Sequence, residues 1–248
     1  MFTEISSWRR NFPLIHGLRF EADPFEWTQS ELLRDGCTEP LTSRLYAKLL
    51  RPGDVYVDVG AHVGFHTLLA RHFVREDGRL IAIEPQPYNC NKILANCRSN
   101  NFTNIFVYVA AAGDSEGAVA LHAQSAADTA RLSLALDGVS DQAQLFQVPI
   151  RRLDSIFQER RIDRVRLLKI DVEGFELSVV NGLGERLQDI DHMVVELLDA
   201  GPDMSKNTVT LIQKLSAAGF KLTTVTGETW NGSTALPESN LLATHGSK

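Results

Sequence analysis

Apolar and polar positions along this chain switch repeatedly between two periods. Val55–Val59 (VYVDV), Leu80–Ile83, Asn104–Ala110 (NIFVYVA), Leu167–Asp171 (LLKID) and Met193–Leu198 are short runs dominated by apolar residues. Such runs form strands buried on both faces. Helical spacing fills the gaps: a turn and helix from Gly60 to about Phe73, then helices over about Tyr88–Cys97, Glu173–Leu183 and Thr208–Ala218. Strands alternating with helices predict an α/β fold, with right-handed crossovers and a mostly parallel sheet covered by helices on both faces. Phe220–Thr226 and Asn240–Ala243 close the chain with no helix between them, which predicts an antiparallel hairpin at one edge.

Two segments stand outside this alternation. Residues 1 to about 50 read as short helices or irregular structure and hold Trp8 and Trp27, two of the three tryptophans. Residues 118–150 begin and end as strands around a small, polar middle, and a long insertion in a compact domain is usually functional or disordered. The chain is therefore divided into an N-terminal helical or irregular extension over 1–35, a candidate lid with Trp8, Phe12 and Trp27, and one domain over 36–248.

Composition removes some functions. A formal net charge of -6 disfavours nucleic acid or an anionic membrane as the main partner. No apolar run approaches the roughly 20 residues that a membrane-spanning helix needs, so no membrane insertion is expected. MFTEISSWRRNF lacks the apolar stretch of a secretory signal. Cys37, Cys90 and Cys97 have no metal-ligand spacing and read as reduced thiols, which makes a cytoplasmic location the expectation.

The richest chemistry follows the first strand, in VDVGAHVGFHT. A strand running into Gly-Ala-His-Val-Gly and then a helix is a nucleotide-type turn, although any tight strand-to-helix turn favours glycine. The dinucleotide fingerprint G-x-G-x-x-G needs its second glycine so that backbone can approach a pyrophosphate. Counted from Gly60, its later glycine positions hold His62 and Phe65, and Gly64 gives G-x-x-x-G instead. A nicotinamide oxidoreductase is thereby disfavoured. Glu84, twenty residues beyond Gly64 at the end of the second strand, can accept the hydroxyls of a ribose, and Asp58 faces the same crevice. A nucleoside without a pyrophosphate, carrying a cationic end, fits both acids: S-adenosylmethionine.

At these residues the sequence also resembles the FkbM family of class I S-adenosylmethionine-dependent methyltransferases. The resemblance runs over about 36–245 and rests on PGDVYVDVGAHVGFHT (52–67), IEPQPYN (83–89) with Asn96 after it, VAAAGD (109–114), and above all LLKIDVEGFE (167–176) with Gly182 following. GCTEPLT resembles the family's Glu-Pro element before the first strand, while His62 departs from the asparagine common there. The resemblance implies a Rossmann-like, seven-stranded, mostly parallel sheet with a reversed edge strand. It places the methionine moiety against Asp58, Gly60, Ala61 and Gly64, with Thr67 in reach, and the ribose at Glu84. Ala111 and Ala112 would border the adenine, His62 and Pro85 complete the cofactor set, and Asp171 lies where open α/β sheets place ligands.

A hydroxyl acceptor must lose a proton as it attacks the activated methyl, so a general base is expected. Asp171 and Glu173 are the catalytic candidates, although Asp171 could instead cap a helix or hold the donor's ammonium group, and Glu173 could complement the helix dipole. Glu196 is a further crevice-side acid, and His62 is next in line, whereas His66 is expected to face outward or pack on its helix. Asp171, Glu173 and Glu196 could also hold magnesium, but no tight ligand motif is present and no metal is expected. Arg151, Arg152, Arg160, Arg161, Arg164 and Arg166 read as a solvated face, or as a contact for a phosphorylated acceptor. The resulting expectation is an O-methyltransferase for a sugar, glycolipid or polyketide. The alternatives are N-methylation of an amide or amine, or a nucleoside-binding protein without turnover.

Overall fold

The computed structural model describes residues 2–4, 18–23, 27–125, 128–134, 144–232 and 234–246. A short antiparallel pair, β1 (Phe2–Glu4) and β2 (Arg19–Glu21), precedes the helices α1 (Trp27–Asp35) and α2 (Pro40–Leu49). Then β3 (Val55–Val59), α3 (Phe65–Val74), β4 (Arg79–Glu84), α4 (Pro87–Ser99) and β5 (Ile105–Val109) follow in strict alternation. A second sheet comes next, from β6 (Ala111–Ala112), β7 (Gly117–Ser125), β8 (Asp128–Leu134) and β9 (Gln144–Arg151). The main sheet resumes through α5 (Leu153–Arg160), β10 (Val165–Ile170), α6 (Glu176–Asn181), β11 (Ile190–Glu196), α7 (Lys206–Ala217), β12 (Phe220–Thr224) and β13 (Asn240–His245).

The main sheet has the order β12-β13-β11-β10-β3-β4-β5. Its strands are apolar on both faces because helices cover both. Val57, Val59, Ile81, Ile83, Leu168 and Ile170 point into one core, and Tyr56, Leu80, Leu167 and Val194 into the other. The period of two along β3, β4 and β10 thus sorts side chains between two layers. Local chemistry sets the helix starts: Pro87 opens α4, and the Ser205 hydroxyl accepts from Thr208 N at the start of α7.

The terminal hairpin forms, but the reversed strand is not at the edge. β13 runs antiparallel to β11 on one side and to β12 on the other, which leaves β12 outermost. Asn240–Ala243 are buried, and a strand paired along both sides keeps that backbone satisfied. The helix expected from Glu173 starts later, at Glu176, because Glu173 (φ 51) and Gly174 (φ 99) adopt left-handed backbone that breaks helical winding. The expected lid residues Trp8 and Phe12, and the middle of the 118–150 insertion, lie outside the described residues. What is described of the N-terminal segment is tied to α4. Glu21 N donates to Asn96 Oδ1 at 2.6 Å, and the Lys92 ammonium is 2.7 Å from Glu21.

Candidate active site

β3 and β10 lie side by side, yet β4 and β5 extend the sheet one way and β11 the other. Such a switch point opens a crevice at the carboxyl ends of the strands, and a cavity of about 430 Å³ lies there. Gly60 and Ala61 both donate backbone N–H groups to the Ile83 carbonyl, at 2.9 and 3.1 Å, folding the turn over the end of β4. Gly60 has φ 80, and a Cβ there would stand 1.7 Å from the Asp171 carbonyl oxygen. Backbone packing against the end of β10 therefore demands this glycine. His62 has φ 49, a region where asparagine and histidine are the more tolerated side chains. Histidine is among the side chains that this backbone admits.

Asp58, next to last in β3, is on the cavity wall and is 1% exposed. Burial pushes its carboxyl above the usual range, against the opposing pull of His66, Lys169 and Thr67. Thr67 is fully buried behind it and donates to Asp58 Oδ2 at 2.5 Å. The Thr67 hydroxyl is therefore engaged by Asp58. Gly64 (φ 88) likewise starts α3 behind the wall, packed on Ile93.

Glu84 is held by three donors. His62 N reaches Oε2 at 2.9 Å, while Gln86 N and Asn89 Nδ2 reach Oε1 at 2.9 and 3.2 Å. Burial outweighs these bonds and pushes its carboxyl up to about 7. Pro85, Ala111 and Ala112 continue the wall, and Val119, Leu121 and Ile150 of the second sheet close it with apolar surface. Gln29 and Leu32 of α1 close it from the N-terminal side.

The acidic end of the cavity is built around a lysine. Lys169, inside the apolar run of β10, is 2% exposed, with Nζ 2.6 Å from Asp171 Oδ2 and 3.6 Å from Glu39 Oε1. Burial works against its charge, but Asp171 and Glu39 prevail and raise its pKa well above the usual value. Asp171 keeps about a quarter of its side chain exposed, toward the cavity. It is not a helix cap, since Phe175 occupies that position before α6. Glu196 lines the same wall, and burial first, then the neighbouring Asp171, pushes its carboxyl up. Glu173 is on an exposed turn at the rim. His66 does not face outward: it is buried, with Nδ1 3.1 Å from Tyr46 Oη and Nε2 3.4 Å from Glu39 Oε1. Tyr46 Oη in turn lies 2.8 Å from Tyr56 Oη. Aromatic and carboxylate partners draw this imidazole inward.

Sequence reasoning missed Glu39 and Lys169 as site residues. A lysine in a strand apolar on both faces was a readable signal, since a buried ammonium needs a carboxylate. Among the described residues, no group of three His, Cys, Asp or Glu side chains has metal-holding geometry; the cation between Asp171 and Glu39 is the Lys169 ammonium. The arginine-rich stretch is largely paired on the surface: Arg151 with Glu116 and Glu159, Arg152 with Asp154, and Arg164 and Arg166 with Asp191. Cys37, Cys90 and Cys97 are buried free thiols, and among the described residues no helix is long and apolar enough to cross a membrane.

A family model described as the methyltransferase FkbM domain matches residues 58–222. Among curated proteins, "Methyltransferase 1" of Beauveria bassiana is 28% identical over 66% of this chain and 72% of its own length. The hexuronic acid methyltransferase AglP of Haloferax volcanii is 25% identical over 77% of this chain and 75% of its own. The crystal structure of a methyltransferase FkbM from Methylobacillus flagellatus shares the fold, with a TM-score of 0.51 at 17% identity. That match covers 97% of this chain and 60% of that one.

Proposed function

The chain belongs to the FkbM family of S-adenosylmethionine-dependent methyltransferases, and from that premise we propose that it methylates a hydroxyl of a sugar-like small molecule, with Asp171 as general base. The name of the AglP relative, a hexuronic acid methyltransferase, supports the acceptor class. Helix α1 is read as part of the acceptor side, supported by Gln29 and Leu32 on the cavity wall.

The residues present fit the cofactor. Glu84 is a buried carboxylate that burial pushes toward neutrality, and ribose hydroxyl donors favour its charged form. Asp58 and Asp171 give the cavity an anionic side suited to a cationic ligand, while Gly60, Ala61, His62 and Pro85 shape the turn around it. The run of small residues Ala110–Gly113 leaves apolar space for a base. When bound, S-adenosylmethionine supplies an activated methyl group on its sulfonium.

The chain's own residues then orient and deprotonate. Proximity in such a cavity supplies much of the rate for an in-line displacement. The Lys169 ammonium fixes one Asp171 oxygen at 2.6 Å, and the exposed part of the Asp171 carboxylate can take the acceptor proton. Glu173 is read as a contact for the acceptor's other polar groups, a reading supported by its position on the cavity lining. The observation that carries this reading is Asp171: a lysine-anchored carboxylate, still open to the cavity, with its backbone packed against Gly60.

Asp171→Asn tests it. With a hexuronic acid glycoside as acceptor, kcat is expected to fall about 100-fold or more, while the Kd of S-adenosylhomocysteine stays within a few-fold. A parallel loss of cofactor-product affinity would instead assign Asp171 to the donor's ammonium group.

A further inference from the structure

Glu39 lies outside the stretch 58–222 that the family model matches, yet its carboxylate reaches the centre of the site. We propose that Glu39 is a positioning residue for methyl transfer, the second counter-ion that keeps the buried Lys169 ammonium paired while Asp171 takes up the acceptor's proton. This rests on the reading of Asp171 as general base.

The backbone is arranged to deliver that carboxylate. Glu39 occupies the N-cap position of α2 but makes no capping bond. Glu238 does the capping instead, its two carboxylate oxygens accepting from Leu41 N and Thr42 N at 2.8 Å each. Relieved of that role, Glu39 turns inward. Its Oε2 accepts from Asn240 Nδ2 at 2.8 Å, and its Oε1 faces Lys169 Nζ at 3.6 Å and His66 Nε2 at 3.4 Å. Glu39 (φ 45), Glu238 (φ 53) and Ser239 (φ 55) are all left-handed without being glycine. Strain of this kind persists only where the surroundings hold it, and it gathers at functional sites.

The charge balance gives the arrangement its purpose. As the acceptor attacks, its O–H bond breaks and the proton passes to Asp171. The acceptor oxygen forms the new O–C bond while the S–C electron pair stays on sulfur. Asp171 is then neutral. A buried ammonium left without a counter-ion is strongly disfavoured, and Lys169 would face that state at the moment of proton transfer. Glu39 remains charged: burial opposes it, but Lys169 and His66 hold its carboxyl well below the ordinary range. Lys169 can therefore lean on Glu39 as Asp171 is neutralised.

The groups facing this cluster are Asp58 and Tyr56 from β3, Tyr46 from α2, His66 from α3, and Glu196 from β11. Glu196 is the reporter, because both Lys169 and Glu39 act on its carboxyl. In Glu39→Gln, the Glu196 carboxyl followed by ¹³C NMR is expected to titrate lower by about one pH unit, because the repulsion from Glu39 is lost and the Lys169 charge is no longer shared with it. The Kd of S-adenosylhomocysteine should stay within about threefold. In a Lys169→Met background, the same Glu39→Gln change should move Glu196 by less than half as much. An unmoved Glu196 titration, or a full shift without Lys169, overturns the proposal. Should Glu39→Gln not fold, Glu39→Asp, which withdraws the charge by one methylene, is read in the same way with a smaller shift. Asp171→Asn separates the two readings. If that variant keeps its kcat while the Glu39 shift stands, the general-base reading falls and the ion pairing survives. If kcat falls and Glu196 does not move, the reverse holds.

Discussion

Glu84 offers a quantitative test of the cofactor cradle through its protonation. Its carboxyl is raised from the ordinary 4.5 to about 7 by burial. At about 1.4 kcal/mol per pH unit, that gap is worth about 3 kcal/mol. The sign follows from linkage: a group with a raised folded-state pKa contributes stability that is full below pH 4.5 and is lost as pH rises through about 7. Ribose hydroxyls donating to the carboxylate would reverse the preference and favour the charged form. S-adenosylhomocysteine binding should then release a proton near pH 6, and affinity should climb between pH 5 and 7 at up to about tenfold per unit. Asp58 and Glu196, also raised, titrate beside it, so the readout is the difference between the wild type and Glu84→Gln. Glutamine places an amide NH2 among three N–H donors, so this variant should lose about 1–3 kcal/mol overall. The decisive quantity is nevertheless the pH slope. Calorimetry in buffers of differing ionisation enthalpy, with thermal melts from pH 5 to 8, measures both. An identical pH dependence of S-adenosylhomocysteine affinity in the two proteins would sink the assignment of Glu84 to the ribose.

Other perturbations reach the scaffold behind the site. Gly60→Ala, with φ 80 and a methyl aimed at the Asp171 carbonyl, should cost about 3 kcal/mol or more; a thermal melt unchanged from wild type would show that the turn yields easily. Thr67→Val removes the hydroxyl that bonds Asp58 and should cost about 1.5–3 kcal/mol, with weaker S-adenosylmethionine binding by calorimetry; full stability and affinity together would free Asp58 from that support. Glu238→Ala uncaps α2 and should cost about 1–2 kcal/mol, with faster hydrogen exchange at Leu41 and Thr42; unchanged exchange there would refute the capping role.

The sequence made the central sheet legible because its information is local. Val55–Val59 is a strand with those very limits, since a five-residue apolar run between polar turns has few other uses. Glu84 and Asp58 were readable from their places at strand ends. The start of α6 was misread because Glu173 reads as a first-turn acid ahead of helical apolar spacing, while the actual break is a backbone property of Glu173 and Gly174. Glu39 was invisible in its role: nothing near it in the chain signals Lys169, 130 residues away, or the remote cap that sets its side chain free. The outward alternative for His66 failed for the same reason, its partners Tyr46 and Glu39 lying on another helix and the turn before it. Placement of the final strand depends on which neighbour each strand finds, and patterning along a single strand does not encode that.

The Glu238 cap also sets an order of assembly on the ribosome. Leu41 and Glu238 are 197 residues apart, so at 5–20 residues per second about 10–40 s of synthesis separate them. Throughout that interval the Leu41 and Thr42 N–H groups have as partners water, or Glu39 at the start of their own helix. Only when the last strand emerges can the borrowed carboxylate displace it and send it toward Lys169. A nascent chain thus carries the cofactor turn and the Lys169–Asp171 pair well before Glu39 is freed to stand as the lysine's second counter-ion.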